Sequence, residues 1–131
     1  MITTVDVETS WQKNENGGYD PSPFHPDNIL VSVGINDEYY FTNHSERVDK
    51  GCFKNIQDTL DKTTLLIGHN IKFDLMWLLE AGFKYNGRVY DTMLGEYILN
   101  RGVRKSLTLE MCCRRRKIGS KDSSIKEYMD R

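Results

Sequence analysis

The chain begins with a run in which apolar and acidic side chains alternate, Val5-Asp6-Val7-Glu8, within a segment rich in β-branched residues. Successive side chains of a β-strand point to opposite faces, and β-branched residues favour strands. The run therefore predicts a strand over residues 2–8, with both valines facing the core and with Asp6 and Glu8 side by side on the other face.

Paired carboxylates on one face of a strand carry a chemical implication. Two adjacent negative charges repel unless something compensates them, and a divalent cation with oxygen ligands is the usual compensation. The Asp-x-Glu pattern therefore indicates a metal site at the C-terminal end of the strand. The same pattern also occurs by chance in many proteins, so this interpretation depends on a second motif further along the chain.

The next segments predict a hairpin. Residues 29–35 and 39–42 have strand composition, and Asn36-Asp37 between them suits a tight turn. A loop from Trp11 to Asn28, rich in glycine and proline, precedes this hairpin and emerges beside the acidic pair. Loops of this length inside compact domains are often functional.

Helical periodicity follows the hairpin. Apolar residues at helical spacing predict a first helix after Asp49 and a second from Ile71, with a buried strand between them over residues 65–68. A short strand at Val89-Tyr90 and two further helices complete an α/β chain. The apolar face of the first helix is predicted to comprise Phe53, Ile56 and Leu60, and that of the second Ile71, Leu75, Leu78 and Leu79. Gly82 is the predicted C-cap of the second helix, and Asp91 and Ser106 are the predicted N-caps of the last two helices.

A second motif supports the metal interpretation. Gly68-His69-Asn70-Ile71-Lys72-Phe73-Asp74 joins the buried strand to its helix. Asp74 is then about one helical turn in, with Asn70 on the same side at i−4. A third acid is thereby directed towards Asp6 and Glu8, and three converging carboxylates can hold Mg²⁺. This is the chemistry of two-metal phosphodiester hydrolysis.

These motifs resemble those of a known family. Asp6-x-Glu8 followed by Asn70-x-x-x-Asp74 is similar to the first two motifs of the DEDD 3′–5′ exonucleases, whose fold is ribonuclease-H-like. Two segments are similar in sequence to the proofreading domain of family A DNA polymerases, GHNIKFDLMWLL and DTMLGEYILN. Residues 20–35 resemble phage members of that family. The resemblance implies a mixed sheet with three early antiparallel strands and flanking helices.

The resemblance also implies roles for single residues. Asp6, Glu8 and Asp74 would be catalytic and would bind two Mg²⁺ or Mn²⁺ ions. Glu8 and Thr9 would face the 3′-terminal nucleotide of single-stranded DNA, and Asn70 would help to orient the scissile region. Asp91 aligns with an acid that is not usually a direct ligand, so we interpret it as a helix cap, with a supporting role as the alternative. A polymerase domain would accompany this domain in the parent protein.

The chain departs from the family in its third motif, in which a tyrosine or histidine is followed a few residues later by a fourth aspartate. The sequence ends at Tyr128-Met129-Asp130-Arg131, and this spacing does not fit. We therefore expect residues 1–131 to be a single domain, the N-terminal part of a ribonuclease-H-like exonuclease domain, with weak or absent activity. A missing water-orienting group typically costs about 10²–10⁴-fold in rate.

Composition limits the cellular setting. The 131 residues include 38% hydrophobic and 28% charged side chains, which is typical of a soluble globular protein. No apolar run approaches the roughly 20 residues that span a bilayer. Three cysteines without C-x-x-C spacing suit a reducing compartment, so we expect a cytoplasmic protein, in the host cytoplasm if a phage encodes it.

Basic residues cluster between positions 101 and 121, where eight lysines and arginines meet one acid, Glu110. The cluster could follow a phosphate backbone, or it could be a solvated helix face, and the sequence leaves both open. Its candidate nucleic-acid contacts are Arg104, Lys105, Arg114, Arg115 and Arg116. The cluster motivates an alternative function: a non-catalytic nucleic-acid-binding or partner-dependent module with the same fold.

Overall fold

The computed structural model describes residues 1–43 and 49–119. The chain divides into two compact units, Met1–Asp91 and Thr92–Arg131, which we describe separately. The prediction of a single domain over residues 1–131 stays a prediction. Within the described ranges, no helix combines the length and the apolar character needed to cross a membrane.

The first unit is built on a five-stranded mixed sheet. Its strands are β1 (Ile2–Thr9), β4 (Leu30–Ile35), β5 (Glu38–Phe41), β6 (Leu65–Gly68) and β7 (Arg88–Asp91). The order across the sheet is β5-β4-β1-β6-β7, so β1 is central. Strands β5, β4 and β1 are antiparallel neighbours, whereas β1, β6 and β7 run parallel. The predicted hairpin and the mixed sheet are confirmed, and the topology is compatible with a ribonuclease-H-like fold.

Two helices pack with this sheet, α1 (Cys52–Lys62) and α2 (Ile71–Glu80). The prediction of the buried face of α1 is wrong at one position. Ile56 and Leu60 are buried, but Cys52 is the third buried residue, and Phe53 is 48% exposed. The Phe53 ring stacks on Phe83, with ring centroids 4.3 Å apart. The aromatic ring therefore covers the edge of the core, and the smaller thiol fits inside it.

The buried face of α2 also differs from the prediction. Ile71 and Leu78 are buried as expected, but Leu79 is exposed and Trp77 is buried in its place. The predicted end of α2 is off by one residue, because Ala81 is the C-cap and Gly82 follows it in the left-handed conformation at φ 99°. The Gly82 N–H donates to the Leu79 carbonyl, and the next N–H donates to the Leu78 carbonyl, which is a Schellman motif.

The segment between β1 and β4 is not the plain loop that was predicted. It contains a small hairpin of β2 (Gln12–Lys13) and β3 (Tyr19–Asp20), paired antiparallel. Asn14 closes the tip, since its Oδ1 accepts the backbone N–H groups of Asn16 and Gly18. Two-residue strands are too short to leave a period in the sequence, which is why the pattern did not reveal them.

The second unit contains α3 (Thr92–Leu99) and α4 (Leu109–Arg116). Thr108 caps α4, because its hydroxyl accepts the Met111 N–H, so the prediction of Ser106 as the cap is wrong. Glu96 is the buried residue of α3, and Cys112 is that of α4. An ion pair between Glu96 and Arg116, with 2.7 Å between Oε1 and Nε, links the two helices.

Candidate functional site

The acidic pair lies on the predicted face of the central strand. Val5 and Val7 are each 6% exposed in the core, while Asp6 and Glu8 are on the exposed side of β1. The pairing of β1 with β4 shifts register between Glu8 and Thr9. Such irregularities redirect side chains and are frequent beside active sites. The strand therefore presents both carboxylates next to a local change in backbone direction.

The turn between β6 and α2 delivers the third acid. A Cβ on Gly68 would lie 3.0 Å from Cγ1 of Ile71, so a larger residue there would require the Ile71 side chain to shift. Asn70 is left-handed, at φ 55° and ψ 50°, a conformation that asparagine tolerates better than most residues. Asp74 follows in the first turn of α2 and is buried.

One hydrogen bond joins this helix to the central strand. The backbone N–H of Val7 donates to Oδ1 of Asp74 at 3.0 Å, in a buried setting. Val7 lies between Asp6 and Glu8 in the chain. The structure therefore holds the carboxylate of Asp74 against the strand position that separates the two other acids.

The environment of Asp74 raises its pKa to about 7. Burial is the largest cause, because a charged carboxylate loses its hydration there. The Val7 hydrogen bond acts in the opposite direction, and the negative charges of Asp6 and Asp91 raise the pKa further. Two further carboxylates therefore act on the buried carboxyl group of Asp74.

Asp91 supports the same turn from the neighbouring strand. It ends β7 opposite Gly68, and its Oδ1 accepts the backbone N–H of Asn70 at 2.9 Å. This contact satisfies a backbone donor at the start of α2 and helps to fix the left-handed residue. The prediction of Asp91 as a helix cap, with a supporting role as the alternative, stays a prediction.

The donor set was compared with what a divalent cation requires. Asp6, Glu8 and Asp74 offer only carboxylate oxygens, the hard ligands that Mg²⁺ and Mn²⁺ accept. Among the residues that the structure describes, no group of three or more histidine, cysteine, aspartate or glutamate side chains is arranged to hold a metal ion. The chemistry of the donors suits a divalent cation, whereas the described side chains are not arranged as a metal-binding group in this structure.

The segment after β1 is tied to both acidic elements. Thr9 Oγ1 accepts the indole N–H of Trp11 at 3.1 Å. Further on, the indole N–H of Trp77, on α2, donates to the carbonyl of Pro21 at 3.1 Å. Sequence reasoning missed both contacts and also the Val7 donor, because tryptophan and valine in these patterns indicate only apolar packing.

The basic cluster belongs to the second unit, and part of it is paired there. Arg114 contacts Glu110 at 2.8 Å, while Arg115 and Arg116 contact the buried Glu96 at 3.5 and 2.7 Å. The hydrogen bond from Arg116 is the main reason that the pKa of Glu96 is below its usual value. These arginines therefore have a structural role that the sequence did not reveal.

Two other basic candidates and the terminal motif complete the set of predicted residues. Arg104 and Lys105 are exposed, in the segment between α3 and α4. Tyr128 and Asp130, considered for the third motif, lie outside the described residues.

A family model described as 3′–5′ exonuclease, of the DNA polymerase A type, matches residues 15–115. This match covers most of the chain, so the chain belongs to the 3′–5′ exonuclease family of DNA polymerases. Asn70, Asp74 and Asp91 fall inside the matched range. Asp6 and Glu8 precede it, so their assignment depends on the strand geometry and on the motif spacing. A search of curated proteins found no match.

Eight chains of solved structures match this one. One is a family B DNA polymerase from the hyperthermophilic archaeon Pyrobaculum calidifontis, with 22% identity and a TM-score of 0.35. The match covers 60% of this chain and 10% of the polymerase. At this TM-score the likeness has no bearing on the site.

Proposed function

We propose that this chain is the metal-dependent 3′–5′ proofreading domain of a phage DNA polymerase. Its substrate is the 3′ end of single-stranded DNA, from which it hydrolyses terminal nucleotides with two Mg²⁺ or Mn²⁺ ions. The family membership supports exonuclease chemistry. The phage assignment rests on the resemblance of the sequence of residues 20–35 to phage members of the family. A polymerase domain is the proposed partner in the parent protein, which we place in the cytoplasm of the host.

The observation that carries this proposal is the hydrogen bond from Val7 to Asp74. It brings a carboxylate from a helix to the strand segment that bears Asp6 and Glu8, as a shared metal centre requires. In the proposal these three acids are the metal ligands. Two bound divalent ions supply an activated water and stabilise the leaving oxygen in phosphodiester hydrolysis.

The other residues bind and orient the substrate. Thr9 follows the acidic pair at the register shift, where it would contact the terminal nucleotide. Asn70 precedes α2 with its side chain exposed, and Asp91 holds its backbone in place. Asp91 is therefore a positioning residue in this proposal, since its observed contact is with Asn70.

The test is digestion of 5′-labelled single-stranded DNA by the 131-residue chain, with Mg²⁺ or Mn²⁺. We expect at most slow cleavage, seen as a ladder of products that shorten by one nucleotide, and no cleavage with EDTA or in the Asp6→Ala/Glu8→Ala double variant. Cleavage that persists in the double variant would contradict the assigned site. No cleavage by a folded chain that binds metal would show that this chain lacks a necessary group.

The non-catalytic alternative has less support. Its motivation was the basic cluster, and three of the five candidate contacts are arginines with acidic partners inside the second unit. Arg104 and Lys105 remain exposed candidates for contact with a phosphate backbone. Binding of the oligonucleotide without any hydrolysis in the digestion assay would favour this alternative.

A further inference from the structure

Three large aromatic side chains are exposed between β1 and β4. Trp11 is 58% exposed, Tyr19 is 56% exposed and Phe24 is 67% exposed. Single exposed apolar residues are common, but three exposed aromatic residues fall within this one segment, and concentrated apolar exposure often marks a binding site.

Two of these rings form a defined pair. The centroids of the Trp11 and Tyr19 rings are 6.3 Å apart, and the rings are tilted by 54°. Tyr19 is in β3, opposite Lys13, and Trp11 immediately precedes β2. The backbone N–H of Asn14 donates to the Gly18 carbonyl at 2.8 Å and closes the hairpin that carries the pair. The two rings are therefore presented on an ordered element.

The hairpin is fixed to the candidate active site. Trp11 is three residues beyond Glu8, and its indole N–H donates to Thr9. Between them, Ser10 exchanges two hydrogen bonds, of 3.0 and 2.7 Å, with Ile29, which immediately precedes β4. The hydrogen bond from the Trp77 indole N–H to the Pro21 carbonyl connects the segment after β3 to the helix that carries Asp74.

We propose that Trp11 and Tyr19 form a stacking platform for the bases of single-stranded DNA, close to its 3′ terminus. This inference rests on the proposed function and adds a binding subsite to it. Every base has a π-face, so aromatic stacking retains single strands of any sequence. The geometry supports this occupant, because the exposed rings begin directly after the residues that would contact the terminal nucleotide.

Charge indicates that this subsite binds bases and not phosphates. Residues 11–20 contain one basic side chain, Lys13, and two acids, Glu15 and Asp20. A segment with net negative charge does not attract the phosphate backbone. The platform should therefore contribute affinity that is almost independent of salt, whereas phosphate contacts add to the slope of log affinity against log salt concentration.

Tryptophan fluorescence provides a direct test. The chain has two tryptophans, and Trp77 is only 4% exposed. An oligothymidine of about 12 nucleotides is titrated into the full chain in EDTA, so that binding is measured without cleavage. We expect quenching in the wild type and none in Trp11→Phe, whose remaining emission comes from Trp77. Quenching that is equal in both proteins, or no quenching in the wild type, would overturn the platform.

A pair of variants separates stacking from other roles. Trp11→Phe and Trp11→Leu both lose the indole N–H, but only phenylalanine keeps a ring. By anisotropy with a labelled oligothymidine, we expect Trp11→Leu to bind at least about fivefold more weakly than Trp11→Phe, with an unchanged salt slope. Equal affinities, or a slope that falls by about one, would overturn the inference. Unchanged Trp77 emission verifies that both variants are folded.

The digestion assay is scored separately, so the two proposals can fail independently. A wild type that degrades DNA while Trp11→Leu binds as tightly as Trp11→Phe contradicts the platform alone. A wild type that shows the expected quenching and the expected difference between the variants, but no metal-dependent cleavage, supports the platform and shows that this chain lacks a group that the proposed activity needs.

Discussion

Asp74 is expected to destabilise the metal-free chain at neutral and alkaline pH. Its pKa rises from 3.8 to about 7 on folding, mainly because the side chain is buried, at 4% exposure. When folding raises the pKa of a carboxyl group, the group's contribution to stability is complete at pH values below its pKa in the unfolded chain. That contribution is lost as the pH rises through the folded pKa. Asp74→Asn keeps an oxygen for the Val7 N–H and removes the charge.

The expected size follows from the shift. About three pKa units, at roughly 1.4 kcal/mol per unit, correspond to about 4 kcal/mol between the protonated and the ionised forms. In EDTA at about pH 8, Asp74→Asn should therefore be more stable than the wild type by an amount of that order. Near pH 4 the difference should almost disappear, because Asp74 is protonated there in the folded state.

Urea denaturation in EDTA at several pH values measures this difference directly. Asp37→Asn, the same change at an exposed turn residue, is the matched control. Addition of Mg²⁺ should reverse the order of stability, since a ligand that binds only the folded state stabilises it, and Asp74→Asn lacks one proposed ligand. If Asp74→Asn is no more stable than the wild type at about pH 8, the description of Asp74 as a costly buried charge is wrong.

Three further predictions concern other parts of the structure. Asp91→Ala should lower the rate of DNA digestion about 10- to 100-fold, because Asn70 loses its hydrogen-bond acceptor; an unchanged rate in a folded variant would remove Asp91 from the site. Glu96→Gln should lower the melting temperature measured by circular dichroism, because two arginines lose their charged partner, and an unchanged temperature would refute the structural role of Glu96. Leu66→Ala should lower the free energy of unfolding by about 2–5 kcal/mol in urea, since its side chain is fully buried, and a loss well below 1 kcal/mol would contradict that burial.

The sequence predicted the elements whose burial pattern is regular. Strand β1 could be recognised because one face is buried along its whole length, and the Schellman end of α2 because glycine marks it. The same reasoning failed at Phe53, Leu79 and Trp77, where side-chain size and hydrogen bonding decide which residue enters the core. Helical periodicity indicates an approximate face, and packing then selects between adjacent positions.

For the candidate site, the sequence suggested the acids but not the contacts that organise them. The donor at Val7 is a backbone N–H, so the identity of the side chain could not indicate its hydrogen bond to Asp74. Glu96 lies about 20 residues before its arginine partners, within an apolar stretch, so nothing nearby in the sequence indicated the pairing. Contacts between distant segments of the chain require the fold before they can be seen.

Metal binding by conservative variants tests the central claim most directly. Calorimetric titration with Mn²⁺ would compare the wild type with Asp6→Asn, Glu8→Gln and Asp74→Asn, and with Glu38→Gln as an exposed acidic control on β5. The account predicts binding by the wild type and by Glu38→Gln, and a marked loss of affinity in each of the other three. Binding that is unaffected by all three substitutions would contradict a metal site formed by Asp6, Glu8 and Asp74.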